Sequence, residues 1–165
     1  MESLSTTLRS HRGLVVLVVS VWLLSTCATR HSPECEAFLA LSPTQRQIES
    51  RTYPANKQID MYLCAMKQEP PDLELADQIS DRGEGAIPLL RERLKTAKSE
   101  VDQHDLIYVF EVMSRKGYLR GQTQVVAEIS QVVDAMKIAP VKEDTRESLK
   151  KIHINSGIKP FTYVQ

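Results

Sequence analysis

The chain has 165 residues, with 21 basic and 21 acidic side chains, 5% aromatics and 6 glycines. Balanced charge excludes nucleic-acid binding by a bulk basic face, and scarce glycine and aromatics disfavour an all-β sandwich or barrel. The length suits one domain with one core.

Residues 1–12 carry Arg9, His11 and Arg12 against a single acid, Glu2. An apolar run follows over residues 14–24, and then Ser25, Thr26, Cys27 and Ala28. Basic, apolar, small is the order of a secretory signal. The run is well short of the roughly twenty residues that a spanning helix needs, so residues 1–27 are expected to be a cleaved export signal. Leu24, Ser25, Thr26 and Cys27 resemble the lipobox of bacterial lipoproteins. That resemblance implies cleavage before Cys27, acylation of Cys27, and a membrane tether through an N-terminal acyl anchor in the cell envelope. Thr26 stands where the motif usually has Gly, Ala or Ser. The alternative is cleavage after Ala28, which frees a soluble periplasmic protein.

Both routes remove Cys27 from the thiol pool and leave Cys35 and Cys64 in a compartment that permits disulfides. A bridge between them closes a loop of about thirty residues, worth roughly 3–4 kcal/mol in the chain-entropy model. The alternative is two separate thiols, with Cys64 packed as a small hydrophobe. The signal holds two of the 21 basic and one of the 21 acidic residues, so the rest stays near neutral. It therefore has no bulk attraction to anionic lipid.

After a polar spacer, residues 28–41, a helical domain is expected over 42–155, and then a tail over 156–165. Ser42, Pro43 and Gln45 mark a helix start with a capping box, and that short polar helix ends near Arg51. Pro54 opens the next, with Ile59, Tyr62, Leu63 and Met66 on one face. Pro70 and Pro71 stop it. Asp72 is expected to cap a third helix carrying Leu73, Ala76 and Ile79, closed by Gly83. Ile87, Leu90 and Leu94 stripe a fourth, with Pro88 in its first turn. Residues 101–116 place Leu106, Ile107, Val109, Phe110, Val112 and Met113 around so much of a helix that it should be central. Residues 122–137 repeat Val125, Val126, Ile129, Val132, Val133 and Met136 at helical spacing, with Pro140 closing the helix. A polar helix over about 142–153 completes the expected set. The chain reads as all-α, with six to seven helices.

Residues 72–97 and 101–137 both read as helix, glycine-containing turn, helix. Residues 83–94 (GEGAIPLLRERL) resemble the second-helix entry of HEAT-like repeats, where a small residue, an aliphatic and a proline precede leucine-rich spacing. The second unit has a longer turn and no matching proline. The resemblance implies stacked helix pairs that serve as a binding scaffold. Arrays generally need about three repeats, so flanking helices would cap two. A compact helical bundle is the alternative architecture.

No histidine pair has i, i+4 ligand spacing and no Cys-x-x-Cys occurs, so the sequence supports neither a metal site nor a cofactor. No nucleophile elbow or phosphate-binding glycine loop supplies a catalytic set. His104 and Asp105 read as a solvated first helical turn, the functional alternative being an acid/base pair. Asp77 and Asp81, at i, i+4, read as a hydrated face or as a pair sharing a cation. Arg115, Lys116, Tyr118 and Arg120 surround Gly117 at a helix end. They suit an anion or an acidic partner, or simply complement the helix dipole.

The expectation is a non-enzymatic, lipid-anchored envelope protein that binds another envelope protein. The alternatives are a carboxylate-based hydrolase assembled from distant residues, and a small-ligand carrier with a cavity beside Phe110 and Met113.

Overall fold

The structure, a computed structural model, describes residues 32–159; the signal with Cys27 and His31, and residues 160–165, lie outside the described residues. Among the described residues there are eight α-helices, one 3₁₀ turn and no strand. The helices are α1 (Pro33–Leu39), α2 (Pro43–Thr52), α3 (Ala55–Ala65), α4 (Glu74–Ser80), α5 (Ile87–Thr96), α6 (Glu100–Arg115), α7 (Thr123–Ala135) and α8 (Ala139–Ser156), with the 3₁₀ turn at Gly83–Ala86. The fold is all-α, as the patterning predicts. Helices α2 to α8 match the seven expected elements.

The additional helix, α1, lies where a spacer was expected. Its sequence, PECEAFL, sets two glutamates among apolar side chains, and Cys35 and Phe38 are buried. Cys35 is bonded to Cys64 of α3, with Cα atoms 6.0 Å apart. Glu34 meets Lys57 at 2.6 Å, and the Lys57 ammonium lies 4.3 Å from the Tyr53 ring centre. Burial, a disulfide and an ion pair therefore hold one short helix that propensity alone would not stabilise.

The capping box at α2 forms as read: the Gln45 N–H donates to Ser42 Oγ (3.3 Å) and the Ser42 N–H to Gln45 Oε1 (3.0 Å). Helix α4 differs from its expectation. It starts at Glu74 without a side-chain cap, and Asp72 instead accepts from Arg46 Nε at 3.2 Å. The later start puts Leu75, Ala76 and Ile79 inward and leaves Leu73 42% exposed. Gly83 has φ 63°, and a Cβ there would sit 3.3 Å from the Tyr118 ring, so the turn favours glycine twice over. Pro88 lies in the first turn of α5, as tolerance requires.

Helix α6 begins at Glu100, where Ser99 Oγ accepts from the Asp102 N–H at 3.0 Å. Its Leu106, Ile107, Val109, Phe110, Val112 and Met113 are each at most 1% exposed. Phe110 and Met113, which the carrier alternative would place on a cavity wall, belong to the common core cluster. Pro140 does not close α7; α7 ends at Ala135 and Pro140 stands in the first turn of α8. Helix α8 accordingly runs from Ala139 to Ser156, longer than expected.

Helices two places apart in sequence are neighbours. One row runs α2, α4, α6, α8, each touching the next; α1, α3 and α5 make a second. Helix α7 joins α5 through Glu128, which accepts from Arg91 Nε at 2.8 Å and pairs with Lys95 at 3.5 Å. The α6–α8 contact is the most extensive of all. On α8 it uses small or short side chains, Thr145, Ser148 and Ser156, with Ile152 between them, all buried. Small contact residues let two helix axes approach closely.

The bridge closes a 29-residue separation. Replacing both Cys35 and Cys64 by Ser is expected to lower unfolding free energy by roughly 3 kcal/mol. Urea unfolding measures it, and a variant with an unchanged midpoint would remove the bridge from the stability of the fold.

Candidate functional site

The basic patch predicted around Gly117 is split by the fold. Gly117 takes φ 85° and ends α6, and the Tyr118 N–H reaches back to the Met113 carbonyl (3.1 Å). Lys116 turns toward α4. Its ammonium donates to Asp81 Oδ1 (2.7 Å), Ser80 Oγ (2.6 Å) and the Asp77 carbonyl (3.1 Å), and lies 3.2 Å from Asp77 Oδ1. Burial alone would lower the Lys116 pKa, but bonds to Asp81 and Asp77 overcome it and hold it above the ordinary value. Tyr118 packs its ring over Gly83. Arg115 and Arg120 remain exposed. The four residues therefore do not converge on one ligand. The Asp77–Asp81 pair does share a cation, and that cation is Lys116.

His104 and Asp105 also part company. Because α6 starts at Glu100, Asp105 lies beyond its first turn, and Glu100 and Asp102 meet the dipole instead. Asp105 is buried, and its carbonyl accepts from the Tyr62 hydroxyl at 2.8 Å. Burial pushes the Asp105 carboxyl up to about 6, with repulsion from Asp102 added and attraction to Lys67 opposing. Asp102 Oδ1 lies 3.4 Å from Lys67 Nζ, an ion-pair distance without hydrogen-bond alignment. His104 faces α8, its Nδ1 2.9 Å from Thr145 Oγ1, and burial lowers its pKa. Adjacent in sequence, the two serve different interfaces and do not form an acid/base pair.

His153, read as lying on a polar stretch, is buried, with Nδ1 2.9 Å from the Ile158 carbonyl. Among the described residues, no three His, Cys, Asp or Glu side chains converge as a metal site, and no helix is long and apolar enough to cross a membrane.

Two grooves on α7 were not legible in the sequence. The first, about 430 Å³, lies between α5, the start of α6 and α7. Its carboxylates are already engaged. Glu128 holds Arg91 and Lys95, and Arg91 keeps its pKa low. Glu100 accepts from the backbone N–H groups of Lys137 and Ile138, both at 2.8 Å, and those bonds lower its pKa. The second groove, about 670 Å³, lies between α7, α8 and residues 157–159. It is the larger of the two and carries the most exposed aliphatic of the described chain, Ile154. No protein-family description, curated protein or solved structure matches this chain significantly.

Replacing Lys116 by Met leaves two carboxylates facing each other without their cation. The expected loss is roughly 1 kcal/mol, because Asp77 and Asp81 are more than half exposed and well screened. Adding Asp77→Asn should recover part of it in urea unfolding; no recovery would refute mutual repulsion.

Asp105 gives a pH signature. Its folded pKa stands above the unfolded value of about 3.9, so its stabilising contribution is full below pH of about 4 and is lost as pH rises through about 6. The stability of Asp105→Asn relative to the parent should therefore grow by roughly 2 kcal/mol between pH of about 4 and about 7. His104 titrates in both proteins and drops out of the difference. A difference that stays flat with pH would show that Asp105 is not held in a desolvated site.

Proposed function

We propose that this chain is an exported α-helical binding module of the bacterial cell envelope, held at a membrane by acylated Cys27, which engages another envelope protein. The observation that carries the reading is the alternation of helices between two rows, α2–α4–α6–α8 and α1–α3–α5. Stacked helix pairs bury their apolar faces on neighbouring pairs and leave extended flanks for partners. The HEAT-like entry at residues 83–94 falls on the 3₁₀ turn and the first part of α5, inside that alternation.

The address draws support from a different quarter. The signal, its lipobox-like end and the Cys35–Cys64 bridge agree on an oxidising compartment. The nearly neutral mature chain favours specific contact over general adhesion to lipid or nucleic acid.

Two measurements test the two halves separately. The intact mass of the purified mature protein should show acyl chains on Cys27 and a shift on reduction equal to one disulfide. A mature chain beginning at Thr29 without lipid would remove the tether. Crosslinking within the envelope, followed by affinity recovery of the full chain, should return one defined partner reproducibly. Repeated recovery of none would sink the binding role.

A further inference from the structure

We infer that the groove between α7 and α8 docks a segment of another protein that presents aliphatic side chains flanked by Asp or Glu. This rests on the binding-module reading and names its point of contact.

The groove has three walls. Helix α7 supplies Ser130 and Asp134, α8 supplies the opposite side, and residues 157–159 close the third. That last wall exists because Gly157 takes a left-handed φ of 70° and ends α8, after which the Ile158 carbonyl meets His153 Nδ1 at 2.9 Å. The return segment is thereby held beside the helix it has just left. A volume of about 670 Å³ is more than a single side chain occupies and falls within the range of sites that hold a sizeable ligand.

The lining chemistry narrows the occupant. Leu149 and Ile158 are partly buried against the core, while Ile154 is 70% exposed. Covering them removes apolar surface from water, which supplies affinity. Arg146 and Lys150 stand one turn apart on α8 and Lys159 stands on the return segment, against the single lining acid Asp134. Arg146 and Lys150 have only exposed i, i+3 partners, Glu143 at 3.5 Å and Glu147 at 3.9 Å, and such pairs hold weakly. Lys159 makes no ion pair among the described residues. Carboxylates brought by a partner meet Lys159 directly and compete with two weak exposed pairs for Arg146 and Lys150, which sets orientation and partner choice. An amphipathic helix laid along an open groove of this size would bring both the aliphatic side chains and the carboxylates.

The test uses the mature full chain as bait for a library of random dodecapeptides. Enriched peptides should carry Leu, Ile or Val beside Asp or Glu, bind more weakly as salt rises, and lose roughly tenfold or more in affinity to Ile154→Asp. Lys150→Glu should weaken the same peptides while circular dichroism shows an intact fold. Enrichment of basic or uncharged peptides, no enrichment, or binding indifferent to Ile154→Asp would overturn the inference. So would three other occupants: phosphatidylglycerol vesicles captured through Ile154, self-association abolished by Ile154→Asp, or a groove that binds peptides only after residues 160–165 are deleted. An envelope partner still recovered with Ile154→Asp would refute the groove and leave the binding-module reading standing; failure to recover any partner would strike that reading itself.

Discussion

Helix α6 has to be covered on nearly every side. Six of its large side chains are almost wholly inaccessible, and they point around most of its circumference. Burying one such side chain contributes about 1.5–3 kcal/mol relative to exposure, an upper figure because an unfolded chain already shields part of its surface. No single neighbour can cover a helix of that kind. Helices α4 and α8 flank it within its own row, and α5 and α3 approach from the other row. The alternation of the whole fold follows from that need. Within each row a helix reaches past its sequence neighbour to touch the one beyond, while α7 packs chiefly on α8.

The same requirement explains why a polar helix is packed so tightly. Helix α8 has little aliphatic pattern of its own, yet its contact with α6 exceeds every other helix pair. Thr145, Ser148 and Ser156 give it a shallow face, and two hydroxyls find carbonyls nearby: Thr145 donates to Val141 and Ser156 to His153. Their polar atoms are thereby satisfied without water. The ends of α6 are then fixed by charge. Glu100 takes two backbone N–H groups that precede α8, and Lys116 reaches α4 at the opposite end. Ion pairs this exposed add little stability each.

How much of this was legible depended on whether the signal was local. The aliphatic spacing of α5, α6 and α7 and the capping box at Ser42 are statements about residues within a few places of each other, and they appear in the structure nearly as read. Proline was legible but ambiguous. Lacking an N–H, Pro140 suits the position after one helix and the first turn of the next, and only the docking of α8 decides between them. Helix α1 was hidden because Cys35 and Phe38 span a single turn, too short a run to establish a period, and the partner that holds it, Cys64, lies 29 residues away. Lys116 finds Asp81 across 35 residues, so a patch that seemed to face solvent is partly a helix-to-helix tie. Asp105 was misread because its face of α6 decides its burial: it stands four and seven residues before Val109 and Val112, on the same covered side of the helix.

That pattern of misreadings bears on where function can reside. Of the charged residues that looked functional in the sequence, Asp77, Asp81 and Lys116 satisfy one another within the fold, and elsewhere Arg46 holds Asp72 and Glu128 holds Arg91 and Lys95. Charges already satisfied have little left to offer a ligand. The α7–α8 groove is the exception, and its contents drew no notice because they are ordinary one at a time. A lone exposed isoleucine or lysine carries no information on a protein surface. Ile154 beside two cations one turn apart, faced by a third on a segment that Gly157 turns back, is a different object. It joins exposed apolar area to one cation without an ion pair and two held only by exposed i, i+3 partners, all within one groove.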